Sequence, residues 1–206
     1  MDELLSQLTK LEVTTEEEVT TEEKLPNKGT GAGGANTNAH GKRFEESTNN
    51  EPHLVTDGFI KKNDGKKNYY LHKDNIVFVT QGYLKKYIHK KHDICLFRNP
   101  DEAYIIETEK EIIIKILEKK EQHMEGSVET KLWSGPSLKR EYEIMLGSKF
   151  KVEYAFCLNS FLEKKINSDK PKYKVLKKIL AENNIEVFYG DSDNYFEKLN
   201  TWVNNN

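Results

Sequence analysis

The chain has 206 residues, a formal net charge of −2, and a composition of 36% hydrophobic, 32% charged and 10% aromatic residues. The aromatic content excludes a wholly disordered chain, and no stretch approaches the roughly 18 consecutive apolar residues of a membrane span. Residues 1–9 lack the basic start and the apolar run of a signal peptide, so we expect a cytoplasmic or otherwise intracellular protein that is not secreted. The length favours a single domain with an appendage.

The charge is unevenly distributed along the chain. Residues 1–24 contain eight acidic and two basic residues, a net charge of −6, which leaves +4 for the rest. Together with the Gly- and Thr-rich composition of this region, the charge predicts an acidic, flexible tail over residues 1–34 and one domain over 35–206. The alternative interpretation is a short amphipathic helix around Leu4, Leu5, Leu8 and Leu11. The mildly basic domain is compatible with a polyanionic partner but does not require one.

The potential sulfur and imidazole ligands give no metal-site pattern. Cys95 and Cys157 each lie within an apolar stretch, and we expect both to be buried as small hydrophobic side chains. A disulfide framework or a cysteine-based zinc site therefore has no support. The six histidines form no convincing metal-binding pair.

Hydrophobic periodicity divides the first half of the domain into helices and strands. Turn and cap residues over 36–41 precede the first helix, and Asn63-Asp64-Gly65 separate the strands of a hairpin. In chain order the pattern predicts a helix over 42–48, hairpin strands within 53–61 and 69–80, a helix over 83–91 and a strand over 94–97.

The second half contains the clearest pattern. β-branched runs over 103–107 and 111–117, separated by Thr108-Glu109-Lys110, predict an antiparallel hairpin. The elements predicted beyond it are a helix over 138–146, a strand over 150–158, a helix over 172–183, a strand over 185–189 and a helix over 193–203 capped by Asp191-Ser192-Asp193. The whole series predicts a mixed α/β, or α+β, domain.

Charged residues lie at one end of the predicted hairpin. Pro100-Asp101 precede its first strand, and Glu118 and Lys120 follow its second, so the turn brings the charged side chains to the same end. Glu118 and Lys120 are two residues apart on a strand and therefore point to the same face. Two carboxylates can bind Mg²⁺ through hard oxygen ligands, and a neighbouring lysine can position or activate the water that attacks a phosphodiester.

This arrangement resembles the PD-(D/E)xK nuclease superfamily, to which many type II restriction endonucleases belong. Pro100-Asp101 are followed, after sixteen residues, by Glu118-x-Lys120, which Gln122 extends to E-x-K-x-Q. The resemblance covers residues 36–160 and implies a restriction-endonuclease-like core, a central mixed sheet of four to five strands flanked by helices, with an inserted β-hairpin. Residues 161–206 are then a peripheral extension.

The resemblance also implies roles for single residues. Asp101, Glu118 and Lys120 correspond to the catalytic residues of the superfamily. Glu45 corresponds to the metal-site glutamate of its opening helix, with Glu46 as the second choice. The implied cofactor is Mg²⁺, held by Glu45, Asp101 and Glu118, with Mn²⁺ as a substitute.

Simpler interpretations and a rival motif stay open. Asp101 can begin a strand after a proline turn, and Glu45 can be an exposed helix residue. Glu118 and Lys120 can be a solvated strand end. Glu129-Thr130-Lys131 repeats the acid-x-Lys pattern, but the residues before it are less typical of a strand. If it were the catalytic motif, the strong strand before Glu118 would end without one, so Glu118-x-Lys120 is preferred.

DNA contacts are expected from the segment that follows the second hairpin strand. Its hydroxyl and basic side chains suit phosphates and base edges, and the residues predicted to bind DNA are Gln122, Lys131, Ser134, Ser137, Lys139 and Arg140. The alternative is a connecting loop that packs Trp133 into the core. A further set of lysines forms either a phosphate-tracking face or a solubilising surface: Lys61, Lys62, Lys66, Lys67, Lys85, Lys86, Lys90 and Lys91.

The resemblance therefore predicts a Mg²⁺-dependent, sequence-specific endonuclease, a type II restriction enzyme that hydrolyses phosphodiester bonds in double-stranded DNA. One catalytic centre per chain favours a homodimer for cutting two strands. The alternatives are a repair or junction-resolving nuclease on the same core and a catalytically silent module that binds DNA or protein.

Overall fold

The computed structural model of the protein describes residues 42–65, 68–124 and 128–205. The predicted tail over 1–34, the predicted cap over 36–41, and Lys66 and Lys67 lie outside the described residues. None of the helices within the three described ranges is long and apolar enough to cross a membrane.

The described strands form one mixed sheet in which the spatial order follows the chain order. Its strands are β1 (Ile60–Asn63), β2 (Tyr69–Lys73), β3 (Ile76–Thr80), β4 (Glu102–Glu107), β5 (Ile112–Lys120), β6 (Phe150–Leu158) and β7 (Ile185–Tyr189). β1 to β5 pair antiparallel as a meander. β6 pairs parallel with β5, and β7 pairs parallel with β6.

Helices connect the strands and cover the sheet. They are α1 (42–47), α2 (Glu51–Thr56), α3 (Leu84–His92), α4 (Val128–Trp133), α5 (Gly135–Leu146), α6 (Ser160–Ile166), α7 (Pro171–Glu182) and α8 (Tyr195–Asn204). α4 and α5 connect β5 to β6, and α6 and α7 connect β6 to β7, because parallel neighbours need a long crossover.

Two hydrophobic cores lie on opposite faces of the sheet, since successive strand residues point to opposite sides. Ile116 packs in one core with Tyr142 of α5, and we call this side the α5 face. Leu117, the next residue on β5, packs in the other core with Phe44 of α1 and Leu199 of α8. We call this second side the α1 face.

The fold class predicted from the sequence, a mixed α/β or α+β domain, is confirmed. The predicted count of four to five strands is wrong, because the sheet has seven strands within the described ranges. The two additional strands are β1 and β2, which form the predicted inserted hairpin and join the same sheet through antiparallel pairing of β2 with β3.

Local predictions before β4 need correction. Residues 53–56, predicted as strand, belong to α2, which has Pro52 in its first turn. The predicted strand over 69–80 is two strands, because Asp74, with a φ of 50°, turns the chain between β2 and β3. Residues 94–97 form a connection between α3 and β4 in place of the predicted strand, and Leu96 is the one buried residue of this run.

The second half follows the sequence-based prediction more closely. β6 and β7 have the predicted bounds, and the predicted hairpin is β4 and β5. The helices predicted over 83–91, 138–146 and 172–183 correspond to α3, α5 and α7 with small shifts of their ends. The pattern does not predict the short helices α4 and α6.

Two further predictions differ from the structure. The residues Asp191-Ser192-Asp193 do not cap the last helix, which begins at Tyr195. Asp191 Oδ2 instead accepts a hydrogen bond from the backbone N–H of Ser160 at the start of α6, 2.7 Å away. Cys157 is buried as predicted, but Cys95 is exposed because it lies in the connection after α3.

Candidate active site

The end of the β4–β5 hairpin brings three charged residues together. In the antiparallel register Glu102 lies opposite Leu117. Asp101 immediately precedes Glu102 and Glu118 immediately follows Leu117, so their side chains meet at the same end of the hairpin. Lys120 lies two residues further along β5. Its Nζ is 2.6 Å from Glu118 Oε2 and 3.8 Å from Asp101 Oδ2. The structure thus places the three residues in one cluster, while their catalytic role stays a prediction.

The surroundings of Glu118 oppose its ionisation. Burial is the main reason that its pKa is raised, the Lys120 ammonium partly offsets this effect, and the Asp101 carboxylate adds to it. The Glu118 side chain is 15% exposed and that of Lys120 16%, so both are shielded from bulk water and still reachable from it. A buried carboxylate next to another carboxylate is stabilised when a cation comes beside it.

Asp101 is held in place by the backbone of neighbouring strands. Its Oδ2 accepts a hydrogen bond from the backbone N–H of Lys119 at 2.7 Å. Its own carbonyl oxygen accepts one from the N–H of Gln81, just after β3, at 3.0 Å. Pro100, the preceding residue, is buried. These contacts hold the Asp101 carboxylate at the end of β5, next to the Lys120 ammonium.

Glu45 approaches the same strand end from α1. It is half-buried and lines a cavity of about 180 Å³ together with Asp101 and Lys119. Burial, followed by the Asp101 charge, raises the pKa of Glu45, so the two carboxylates are within electrostatic reach. Glu46 also lines the cavity, but it is exposed and lies 3.9 Å from the Lys42 Nζ. The geometry favours Glu45 over Glu46 as the acidic residue that α1 contributes.

The oxygen donors at this strand end suit a hard divalent cation, although they do not form a ready coordination shell. Among the residues that the structure describes, no group of three or more His, Cys, Asp or Glu side chains is arranged to hold a metal ion. Glu118 is instead bonded to the Lys120 ammonium. Asp101 and Glu118, with Glu45 nearby, are the carboxylates that would hold a cation here, since Mg²⁺ prefers such oxygens.

A second Glu–Lys pair lies on the opposite face of the same strand end. Lys119 points to the α1 face, where its Nζ is 2.6 Å from Glu102 Oε1, and the two side chains are 3% and 1% exposed. This pair was not predicted from the sequence. Strand alternation does place Lys119 on the face opposite to Lys120, but no pattern in the sequence indicates that Glu102 is buried.

The rival acid-x-Lys motif, Glu129-Thr130-Lys131, lies on a helix and not at the end of a strand. Glu129 lies on α4 rather than on a strand, and its carboxylate accepts hydrogen bonds at 2.7, 2.6 and 3.2 Å from Lys172, Tyr173 and Lys165. Burial opposes the ionisation of Glu129, but these bonds outweigh it and lower its pKa to about 2. Glu129 is therefore neutralised by two ammonium groups and anchors α4 to α6 and α7.

Gln122, Lys131 and Ser134, the first three residues predicted to contact DNA, differ in their exposure to solvent. Gln122 is buried: its amide group donates to the Met124 carbonyl at 2.6 Å, and its side-chain oxygen accepts from the Glu129 N–H at 3.0 Å. Its side chain thus fixes the connection between β5 and α4. Lys131 and Ser134 are exposed after this connection, and the Ser134 hydroxyl donates to the Lys131 carbonyl at 2.7 Å.

The other predicted DNA-contacting residues lie on α5, beside Trp133, which packs partly buried against the core. All three of these residues line a cavity of about 620 Å³: Ser137, Lys139 and Arg140. Lys139 donates a hydrogen bond to the Asn183 carbonyl at 2.8 Å, and Arg140 Nη1 lies 3.0 Å from Glu143 Oε2. Their basic groups are partly used within the protein, and DNA contact by these residues stays a prediction.

Arg98, Tyr142 and Tyr154 complete the surroundings of Glu118, and none of the three was predicted from the sequence as a site residue. Arg98 Nε and Nη2 bind Glu141 of α5 at 2.7 and 2.8 Å, and the Tyr142 hydroxyl donates to the Arg98 carbonyl at 3.4 Å. Burial, followed by the Glu118 charge, raises the pKa of Tyr154, whose buried hydroxyl has no hydrogen-bond partner among the described residues.

Similarity to a known protein is found at the level of structure and is weak. No protein-family model matches the chain, and no curated protein matches it. Among solved structures, the chain is similar to an XisH family protein from Nostoc punctiforme, with 15% sequence identity and a TM-score of 0.33 over 71% of this chain and 88% of that chain. The geometry of the site itself is therefore the basis for a functional assignment.

Proposed function

We propose that this protein is a Mg²⁺-dependent, sequence-specific endonuclease that hydrolyses phosphodiester bonds in double-stranded DNA. The observation that carries the proposal is the cluster at the end of β4 and β5, where Lys120 Nζ lies 2.6 Å from Glu118 and 3.8 Å from Asp101. Two hard oxygen donors and an ammonium group at one strand end suit metal-assisted hydrolysis of a phosphodiester. The resemblance to the PD-(D/E)xK motif supports the same activity, with Mn²⁺ as the expected substitute.

The topology around the cluster supports a restriction-endonuclease-like core. α1 precedes the antiparallel strands β3, β4 and β5, and the crossover through α5 leads to the parallel strand β6. The resemblance implies the same order of a helix, a three-strand meander, a helix and a further strand. Relative to that order, α3 is inserted between β3 and β4, and β1 and β2 extend the sheet.

The charge balance of this strand end favours a divalent cation. Four carboxylates and two ammonium groups meet there on the two faces of the sheet: Glu45, Asp101, Glu102 and Glu118, with Lys119 and Lys120. Burial and the surplus of negative charge raise the pKa of Glu45 and Glu118, and a bound cation relieves both effects. When bound, the cation supplies neutralisation of phosphate charge and a lower pKa for a coordinated water.

The protein's own residues divide the remaining tasks. Asp101 and Glu118 hold the cation through their carboxylate oxygens, and Glu45 approaches from α1. The Lys120 ammonium has three donors, which orient the attacking water and the oxygens of the scissile phosphate. Lys131 and Ser134, exposed after β5, contact the DNA next to the cut bond. Two copies of this centre cut the two strands, so the active form that we propose is a homodimer.

Incubation of the full-length chain with supercoiled plasmid and Mg²⁺ tests the proposal. Wild type should give discrete fragments, and Asp101→Asn and Glu118→Gln should give none, because each variant removes a charged oxygen ligand. DNA binding should survive in both variants or tighten, since repulsion between carboxylate and phosphate is relieved. The matched control is Asp169→Asn, whose carboxylate is fully exposed before α7, and it should cleave like wild type.

Two other results would change the assignment. Nicking that depends on the structure of the DNA rather than on its sequence would indicate a repair or junction-resolving nuclease. The absence of cleavage with both Mg²⁺ and Mn²⁺ would contradict the proposal and favour a catalytically silent binding module.

A further inference from the structure

Lys119 contacts both the strand-end carboxylate and helix α1. Its backbone N–H donates a hydrogen bond to Asp101 Oδ2 at 2.7 Å, and its Nζ donates one to the backbone carbonyl of Glu45 at 3.2 Å. The geometry follows from strand alternation, because the Lys119 side chain turns to the α1 face while Glu118 and Lys120 turn to the α5 face. A single residue of β5 therefore connects Asp101 with the helix that carries Glu45.

The Lys119 ammonium is paired with Glu102, which is itself fully bonded. Glu102 Oε1 lies 2.6 Å from Lys119 Nζ and accepts the N–H of Asn50 at 3.1 Å, and Oε2 accepts the Tyr104 hydroxyl at 3.1 Å. The two side chains are 3% and 1% exposed, so water does not compete for these bonds. A buried ion pair with additional hydrogen bonds has a well-determined geometry.

Asn50 extends the contacts of this pair to three helices. It lies between α1 and α2 as the N-cap residue of α2. Its Nδ2 donates to the Tyr104 hydroxyl oxygen and to Asn200 Oδ1 of α8, both at 3.0 Å. Helices as short as α1 are not stable by themselves in water, so the position of α1 depends on contacts of this kind.

We propose that Glu102 and Lys119 are positioning residues that hold α1, and with it Glu45, at a fixed place relative to Asp101 for cation binding. This inference rests on the proposed function, because it gives Glu45 a part in the metal site. Both side chains are buried and act through the groups that they hold. Since replacing both members of a buried ion pair often leaves stability unchanged or higher, geometry is the property that this pair contributes.

Lys115 provides a matched control on the same strand and the same face. It is fully buried, lies 2.9 Å from the Glu153 carboxylate, and donates to the carbonyl oxygens of Trp202 and Asn205 at 2.6 and 2.5 Å. These contacts hold the end of α8 rather than α1. Loss of the Lys115 ammonium should therefore destabilise the fold without moving Glu45.

The test compares full-length wild type with Lys119→Met, the double variant Glu102→Gln/Lys119→Met, and Lys115→Met. Two quantities are measured for each: amide hydrogen exchange over residues 42–50 and the Mn²⁺ concentration that gives half-maximal cleavage. Lys119→Met leaves the Glu102 charge buried and unpaired, so its thermal midpoint should fall. The double variant removes both charges and should recover part of this loss.

In the double variant we expect faster exchange over 42–50 and a Mn²⁺ requirement raised by about 10- to 100-fold, the effect of removing residues that support metal ligands. Lys115→Met should lower the thermal midpoint and leave both quantities at their wild-type values. The KM for DNA should be the same in all variants. Wild-type exchange and a wild-type Mn²⁺ requirement in the double variant would overturn the inference.

The exchange measurement separates this inference from the proposed function. If wild type cleaves no DNA with any divalent cation, the proposed function fails, and exchange over 42–50 decides the inference by itself. Faster exchange in the double variant then supports the anchoring of α1 by Glu102 and Lys119. Unchanged exchange overturns it.

Discussion

Two Glu–Lys pairs with the same separation lie on the two faces of β5, and they differ in their surroundings. Glu118 and Lys120 approach to 2.6 Å, and so do Glu102 and Lys119. The first pair is 15% and 16% exposed, whereas the second is 1% and 3% exposed. Distance alone therefore does not distinguish the pair that we propose as catalytic from the pair that we propose as supporting. Access to solvent and the number of bonds within the protein do.

The two pairs also differ in how completely their bonds are satisfied within the protein. The Glu102 carboxylate accepts bonds from Lys119, Asn50 and Tyr104, and its position is fixed by all of them. Glu118 is bonded to the Lys120 ammonium and repelled by Asp101, which leaves it able to exchange partners. The buried pair holds the backbone, and the accessible pair is suited to binding a cation and a phosphate.

Replacing the lysine of the accessible pair should have the largest effect on activity. Lys120→Met should reduce the single-turnover cleavage rate on the order of 100-fold or more, the effect of removing one charge-stabilising donor from an active site. Its thermal midpoint should fall less than that of Lys119→Met, because the Glu118–Lys120 pair is more exposed to solvent than the Glu102–Lys119 pair. A rate close to that of wild type would move catalysis away from Lys120.

Replacing the lysine of the buried pair should have the largest effect on stability. Lys119→Met should lower the free energy of unfolding by about 3–5 kcal/mol, because the Glu102 carboxylate loses its counter-charge in a site without water. Urea denaturation at neutral pH measures this loss. A loss below about 1 kcal/mol, the usual value for an exposed pair, would contradict the contrast between the two faces.

Gly190 tests whether the position of α1 matters for the site. A Cβ at Gly190 would lie 2.6 Å from Thr48 Cγ2, 2.8 Å from Phe44 Cζ and 2.9 Å from Cys157 Sγ, so Gly190→Ala crowds the side chains that pack α1 and the residue after it against the sheet. Crowding of this kind should cost about 1–3 kcal/mol of unfolding free energy. Because α1 carries Glu45, the Mn²⁺ requirement for cleavage should rise as well. Lower stability together with a wild-type Mn²⁺ requirement would contradict a part for the position of α1 in the site.

Glu129 tests the structural role that the rival motif has in the fold. Glu129→Gln should lower the free energy of unfolding by about 2 kcal/mol at neutral pH, because the bonds to Lys172, Tyr173 and Lys165 lose their charge assistance. The pKa of Glu129 is about 2 in the fold against an ordinary 4.5, so this contribution is present above pH 4.5 and is lost as the pH falls toward 2. Denaturation at pH 7 and pH 3 measures it, and an equal cost at both pH values would contradict the assignment.

Lys131 should show the smallest effect. Lys131→Ala removes one exposed cation near the proposed DNA path, so it should lower the slope of log affinity against log salt by about one. Slow but real cleavage should remain. Loss of cleavage by Lys131→Ala, with activity retained by Lys120→Met, would transfer the active site to Glu129 and Lys131.

The hairpin at the centre of the site could be predicted from the sequence because local patterns determine it. The runs that form β4 and β5 are β-branched and bounded by a polar turn, and antiparallel pairing then brings Asp101 to the same end as Glu118. β6 was predictable in the same way, since its nine residues form one apolar-rich run. In each case the residues that decide the structure are close together in the chain.

Burial by distant segments could not be predicted in this way. Glu102 has the sequence context of a strand-end surface residue, and it is buried where Asn50, which is distant in the chain and is itself bonded to Asn200 of α8, contacts it. Residues 94–97 are apolar enough for a strand, but they do not pair with the sheet. The neighbouring position is already occupied, because β4 pairs directly with β3. Residues 53–56 include β-branched side chains, yet Pro52 at the first turn starts a helix there.

Mn²⁺ binding measured by electron paramagnetic resonance tests the central claim most directly, that the end of β4 and β5 holds a divalent cation. We predict that full-length wild type and Asp169→Asn bind Mn²⁺ with the same affinity. The double variant Asp101→Asn/Glu118→Gln should lose this binding, because both charged oxygen donors are gone. Equal Mn²⁺ affinity in the double variant and in wild type would contradict the claim.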